Sequence, residues 1–216
     1  MTPILVVAGI EPHRAAAASL FAILGTSLGG LRRLLRAGLV EARIGSVLAA
    51  AALAGAALGA GIAARLPGRV MLFVIAAAMY TAAATTVYRP RFGGRHAMAL
   101  GIAFIFGGTM LSAMAGKGGG SFAVPVLISV VGLDTRRAAA TARLVVLASA
   151  AASVTVYAAH GYLDPLLAAP LIAGTFTGST IAARMLHEMS EERHRLLELA
   201  VFTTMGTLAL AKALLH

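Results

Sequence analysis

The chain has 216 residues, of which 59% are hydrophobic and only 12% are charged, and its formal net charge is +10. An ordinary soluble domain carries about twice that charged fraction, so the composition excludes a soluble protein and predicts an all-α polytopic protein of the cell membrane. Because the sequence contains no cysteine, disulfides, thiolate metal sites and thiol redox chemistry are also excluded.

Seven apolar runs in the sequence are long enough to cross a bilayer as helices, which takes roughly 17 to 25 residues. Most arginines stand in short loops beside the ends of these runs, where membrane insertion and lipid headgroups account for them better than nucleic acid does. We therefore expect the lipid bilayer, and no nucleic acid, as a partner. The runs cover residues 15–31, 44–64, 70–88, 97–115, 138–158, 165–184 and 195–214.

The sequence contains an internal repeat with an offset of about 120 residues. Residues 8–17 (AGIEPHRAAA) align with residues 131–140 (VGLDTRRAAA), and a later pair of segments also aligns. Two related halves are common in membrane transporters. We therefore predict a first membrane repeat, a basic linker and a second membrane repeat, at residues 1–88, 89–96 and 97–216.

The later pair of aligned segments, residues 54–65 and 173–184, carries two glycines four positions apart in each copy. Small residues at this spacing lie on one helix face and let a neighbouring helix backbone approach closely. We interpret these glycines as packing positions: Gly55 with Gly59, and Gly174 with Gly178.

The segment at residues 115–125, AGKGGGSFAVP, places four glycines and a proline between two apolar runs. Non-helical backbone inside a bilayer is tolerated only where protein or a watery cavity satisfies it, and transporters use such breaks to bind anions. Glycine adopts positive φ without strain and can bring bare N–H groups to a ligand. The alternative interpretation is a kink that helps two helices cross. A nucleotide P-loop is excluded, because the order Gly-Lys-Gly-Gly-Gly-Ser does not match its pattern.

Two cations beside or within the apolar runs could supply charge to a small anionic substrate. Lys117 lies in the glycine segment, with contact to lipid headgroups as the alternative. Arg143 lies inside the run 138–158, where arginine is costly and often functional, although it could also extend back to the membrane surface. Hydroxyls on the same elements could donate to an anion, with bonds to their own helix carbonyls as the alternative. The predicted substrate-binding residues are Ser19, Gly116, Lys117, Gly118, Gly119, Gly120, Ser121, Thr141 and Arg143, with Thr26, Ser27, Ser149 and Ser153 as further hydroxyls.

The pattern G-x-G-G-G-x-x-x-V-P-x-L at residues 116–127 is followed by a Gly-Leu loop, an alanine-rich helix and a G-x-x-x-G helix ending in Ala-Arg. This combination resembles the sulfite exporter TauE/SafE family of membrane permeases, over most of the chain and in both halves. The resemblance implies about eight membrane segments in two repeats. It also implies export of a small sulfur-containing oxyanion, such as sulfite or an organosulfonate.

The chain departs from this family pattern at two places. Lys117 stands where a small or apolar residue is expected, which would alter selectivity. Thr2 and Pro3 align with Val124 and Pro125, so the first repeat begins after the point where its own glycine motif would stand. We therefore expect a version with that first segment to be more stable or more active than the chain as given.

An enzyme is not expected, because paired carboxylates, a histidine cluster or a nucleophile with its base do not occur in or near the predicted spans. The six histidines lie in predicted loops or at the C-terminus, where we interpret them as solvated, and no metal or cofactor is predicted. Two alternatives to a sulfur-anion permease stay open: a non-transporting or incomplete protein of the same fold, and a permease for another small anion. The oligomeric state is left open.

The arginine distribution predicts that the two halves insert in opposite orientations, with residues 97–132 contributing one span and one re-entrant half. Because the chain has no native cysteine, single cysteines in the loops 65–69 and 133–137 can be labelled with a membrane-impermeant maleimide. We expect these two loops to be labelled from opposite faces, and labelling of both from one face would contradict the inverted arrangement. The predicted cytoplasmic loops are residues 32–43, 89–96, 133–137 and 185–195.

Overall fold

The computed structural model of the protein describes residues 1–88, 96–187 and 191–215, without the side chains at 33, 179–187, 191 and 194. The predicted basic linker, apart from its last residue, therefore lies outside the described residues. The described residues form nine α-helices and no β-strand, which confirms the all-α fold. In chain order these are α1 (Thr2–Val7), α2 (Pro12–Arg36), α3 (Ala42–Ala63), α4 (Gly68–Val87), α5 (Ala97–Met114), α6 (Gly120–Ser129), α7 (Thr135–Ala159), α8 (Pro165–His187) and α9 (Glu191–Leu215).

Each of the seven predicted apolar runs corresponds to one long helix, from α2 to α5 and from α7 to α9. Over their described residues, six of these helices are long and apolar enough to cross a bilayer, and α8 contributes a shorter apolar stretch, Pro165–Gly178. The two additional helices, α1 and α6, are short. The six long apolar helices confirm a multi-pass membrane protein.

The helices recur at a constant sequence spacing. Helices α7, α8 and α9 each begin 123 residues after α2, α3 and α4, and the Thr-Pro start of α1 aligns with the Val-Pro step within α6. Packing follows the same relation, because α3 packs on α7 as α8 packs on α2, and α1 packs on α9 as α6 packs on α4. Helices of the first half are thus interleaved with helices of the second.

The paired glycines of α3 are packing positions, as predicted. A methyl group added to Gly55 would collide with the carbonyl oxygen of Phe106 on α5, and one added to Gly59 would collide with that of Met110. The two helices therefore touch through their backbones. Helix α3 also packs along α7, so it stands between two long helices.

The corresponding glycines of α8, Gly174 and Gly178, do not pack as predicted. A methyl group added at either position has no described atom within 4 Å. The physical reason is that α8 packs on α2 through its other side, where Ile172 lies against Gly25. Helix α5 thus packs on the glycine face of α3, whereas no helix among the described residues packs on the glycine face of α8.

His13 is buried, contrary to the prediction that the histidines are solvated. Its Nε2 atom lies 3.0 Å from the carbonyl oxygen of Ala63, and its Nδ1 atom lies 3.0 Å from a carboxylate oxygen of Glu11. The imidazole ring also stacks on Tyr162 at a centroid distance of 4.7 Å. These contacts join the start of α2 to the end of α3, so His13 has a structural role.

Gly59 and Gly61 of α3 are a matched pair for testing the backbone contact with α5. Alanine at Gly61 meets no described atom within 4 Å and gains helix propensity, so the free energy of unfolding should rise by ~0.5–1 kcal/mol. Alanine at Gly59 gains the same propensity but collides with the α5 backbone, so we expect a net loss of about 1–3 kcal/mol. Thermal unfolding in detergent measures both changes, and equal melting temperatures would contradict the α3–α5 contact.

Candidate functional site

The helix is interrupted at the position that the glycine segment predicts. Helix α5 ends at Met114 and α6 begins at Gly120, and between them Gly116 and Gly118 have φ angles of +69° and +34°. Side chains with a Cβ atom rarely adopt this left-handed region, so both positions favour glycine. We call residues 115–120 the glycine break.

The first turn of the glycine break terminates α5. The N–H of Lys117 donates to the carbonyl of Ser112 at 2.8 Å, and the N–H of Gly116 donates to the carbonyl of Ala113 at 3.2 Å. This pattern is the Schellman motif, in which a left-handed glycine ends a helix and satisfies its last carbonyls. Gly116 therefore has a structural role, because it ends α5.

The later glycines of the break also use their N–H groups within the protein. The N–H of Gly119 donates to Ser149 Oγ of α7 at 3.3 Å, and the N–H of Gly120 donates to the carbonyl of Gly118 at 3.0 Å. Five of the six N–H groups of residues 115–120 thus have protein acceptors. The expectation that bare N–H groups meet the ligand is wrong for three of the four glycines of the break, because hydrogen bonds within the protein use them.

The glycine break packs between equivalent positions of the two repeats. A methyl group added to Gly118 would lie 3.2 Å from Ile23 of α2 and 3.4 Å from Val146 of α7, two residues that are 123 positions apart. Gly116 lies against Ala16 of α2. The carbonyl of Gly116 accepts a hydrogen bond from the hydroxyl of Thr2, the first residue of α1, at 3.2 Å. Helices from both halves therefore enclose the break.

Four buried side-chain donors have no hydrogen-bond partner among the described residues. Several other buried hydroxyls have protein partners, as Thr109 does with the carbonyl of Ile105 in the preceding turn at 2.8 Å. A buried polar group without a partner costs free energy, so each such group in a folded protein calls for an explanation. The four atoms are the hydroxyls of Ser19, Ser112 and Ser121 and the Nζ atom of Lys117.

All four donors belong to elements that meet at the glycine break. Ser112 and Ser121 flank the break, at the end of α5 and at the start of α6. Ser19 lies on the face of α2 that contacts the break, three residues after Ala16 and four residues before Ile23. We call these three serines and the lysine the donor cluster. It combines one cation with hydroxyl donors, which is the chemistry that binds an anion.

The ammonium group of Lys117 contacts an aromatic ring of the last helix. Its Nζ atom is buried and lies 3.7 Å from the centroid of the Phe202 ring on α9. A cation over a ring face is attracted by the ring quadrupole. The carboxylate of Glu198, one turn earlier on α9, attracts the same charge. Helix α9 is therefore part of the site.

Two predicted binding residues, Thr141 and Arg143, do not lie at the break. Thr141 is buried where α7 meets the start of α3, and its Oγ1 atom accepts a hydrogen bond from the N–H of Glu41 at 3.0 Å. Arg143 is exposed, and its guanidinium lies 3.2 Å from where a methyl group on Gly30 of α2 would stand. The sequence identifies the correct helix, but α7 meets the break three and six residues further along the helix than residue 143.

The other seven predicted residues gather at the break, whereas two members of the site were missed, Ser112 and Phe202. A hydroxyl so close to the end of α5 is a local signal that could have identified Ser112. No local signal identifies Phe202, because its contact joins positions 85 residues apart. The seven are Ser19, Gly116, Lys117, Gly118, Gly119, Gly120 and Ser121.

Comparison with known proteins gives one match. A protein-family model described as Sulfite exporter TauE/SafE matches residues 1–209 of the chain. That span includes the whole glycine break and the donor cluster, together with Phe202. No curated protein and no solved structure matches the chain.

Ser112 and Ser149 are buried serines near the break that differ in bonding, and their alanine variants test this difference. Ser149 donates to the carbonyl of Val146 at 3.0 Å and accepts from Gly119, so Ser149→Ala should lower the free energy of unfolding by about 1–3 kcal/mol. Ser112→Ala removes a hydroxyl without a described partner, so stability should stay equal or rise. Both are measured by thermal unfolding without added anion, and a larger loss for Ser112→Ala would contradict the bonding described.

Proposed function

We propose that this chain, which belongs to the sulfite exporter TauE/SafE family, is a permease that exports a small sulfur-containing oxyanion such as sulfite or an organosulfonate. Membership of the family makes it a membrane permease of a kind that transports sulfur anions. The observation that supports the finer proposal is the donor cluster at the glycine break. The substrate anion would bind there and supply acceptors to all four donors.

The chemistry of the donor cluster suits an oxyanion. Each sulfite or sulfonate oxygen can accept hydrogen bonds, so one ligand has enough acceptors for the hydroxyls of Ser19, Ser112 and Ser121. Its negative charge would offset the ammonium of Lys117, which is unfavourable in a low-dielectric interior unless it has a counter-charge. Hydrogen bonds that involve a charged group are roughly twice as strong as neutral ones, so the anion would be held mainly through Lys117.

The position of the break suits transport by alternating access. Transporters with two related halves commonly bind substrate where the halves meet, and rocking of one half against the other then exposes the site to each side in turn. Ile23 and Val146, which occupy equivalent positions in α2 and α7, both contact Gly118. The donor cluster also draws on both halves, with Ser19 from the first and the other donors from the second. A site between two equivalent helices can open toward either side of the membrane.

Anion binding by purified protein tests the proposed site. In detergent, sulfite titrated by calorimetry should bind the Lys117→Gln variant about 10- to 100-fold more weakly than the unmodified chain. Arg143→Gln is the matched control, because it removes a cation from an apolar helix away from the break, and its Kd should be unchanged. Weaker binding by Arg143→Gln, with no effect of Lys117→Gln, would place the site elsewhere.

Transport and selectivity are measured in proteoliposomes. Sulfite loaded inside the vesicles should leave faster with the unmodified chain than with Lys117→Gln at equal protein incorporation. Methanesulfonate should compete with sulfite, and chloride should compete far less because it offers no separate oxygens to the hydroxyls. Competition by chloride as strong as that by methanesulfonate would favour a general small-anion permease, and binding without flux would favour a non-transporting protein.

A further inference from the structure

A side chain of α9 already covers the ammonium group of Lys117 at the glycine break. The Nζ atom of Lys117 is buried, and the ring of Phe202 stands 3.7 Å from it. An oxyanion that pairs with this ammonium needs space beside the same atom. The ring face and an anion are therefore competitors for one cation.

Helix α9 is suited to carry a movable group. It is the least buried of the six candidate spans. Several of its bonds to the rest of the protein lie beyond residue 206: Thr207 pairs with Tyr80 of α4 at 3.1 Å, and the carbonyl of Ala213 accepts from Arg69 at 3.2 Å. Phe202 precedes this anchored part by more than one turn. A displacement of its ring would leave these bonds at the end of α9 intact.

We propose that Phe202 is the gating residue of the Lys117 anion site, which rests on the proposed function. In the conformation seen here the ring closes the site and stabilises the ammonium through its π face. Binding of the oxyanion displaces the ring from Nζ, and release of the oxyanion lets the ring return. The carboxylate of Glu198, one turn away on α9, also attracts the ammonium of Lys117. Phe202 thus lowers the apparent anion affinity, because part of the binding free energy is used to displace the ring.

Two measurements test the gate. The first is the Kd of sulfite by calorimetry for Phe202→Leu and Phe202→Met, which keep an apolar side chain without a ring face. Loss of a desolvated cation–π contact should lower the Kd by about 3- to 30-fold. Phe202→Tyr keeps the ring face and should bind as the unmodified chain does. Phe73→Leu on α4, where the ring is 39% exposed, is the control for loss of a phenylalanine elsewhere.

The second measurement is the accessibility of the site without any anion. Ser121→Cys places a single thiol in the donor cluster of an otherwise cysteine-free chain, and a neutral maleimide reports how often the site opens. Adding Phe202→Leu or Phe202→Met should accelerate this labelling by about tenfold or more, since the ring no longer holds the closed arrangement. Adding Phe202→Tyr or Phe73→Leu should leave the rate unchanged.

The outcomes separate the gate from the proposed function. If Lys117→Gln weakens sulfite binding while the leucine and methionine variants change neither Kd nor labelling, the gate is overturned and the permease site stands. If sulfite binding is insensitive to Lys117→Gln, the proposed site itself is wrong. Weaker binding by both non-aromatic variants, with labelling unchanged, would make Phe202 a packing residue and also overturn the gate. If either Phe202→Leu or Phe202→Met is not monodisperse in detergent, the measurements on the other variant decide between these outcomes.

Discussion

Backbone groups in hydrocarbon need protein partners, and the structure around the glycine break follows from that requirement. Five of the six N–H groups of the break bond to α5, to α7 or within the turn, and the carbonyl of Gly116 accepts a hydrogen bond from the first residue of α1. The break also lies very close to its neighbours, since methyl groups on Gly116 and Gly119 would collide with Ala16 and Thr109. The break is thus a tightly bonded turn, and in the proposed site side chains rather than these N–H groups would bind the ligand.

The internal repeat places this turn where the two halves meet, and it also shows where the halves differ. Helix α3 packs on α7 as α8 packs on α2. Gly118 contacts Ile23 of α2 and Val146 of α7, which occupy equivalent positions. The glycine faces of α3 and α8 are not equivalent, because α5 packs on the first and no described helix packs on the second. The first half therefore has a glycine face buried by a neighbouring helix and the second half leaves its glycine face exposed, although the two sequences are alike.

Properties that depend on a few neighbouring residues could be predicted from the sequence. Hydropathy located the helices, and the four glycines located the break with Lys117 inside it. Tertiary relations could not be predicted in this way: α7 meets the break at Val146 and Ser149, whereas the guanidinium of Arg143 lies against α2 at Gly30. Hydrophobic periodicity gives which face of a helix is buried, but not which turn lies beside a distant loop.

The contact between Lys117 and Phe202 bears on how a permease releases its substrate. A buried lysine held by a carboxylate at ion-pair distance would be difficult for an anion to reach, because separating such a pair in a low-dielectric interior is expensive. A bare ammonium would instead hold the anion too strongly for turnover. A ring face attracts the cation by about 0.5–2 kcal/mol, which is enough to compensate part of its charge and weak enough for an oxyanion to replace. In the proposed permease, the aromatic partner would thus keep both the loaded and the unloaded state accessible, as repeated transport requires.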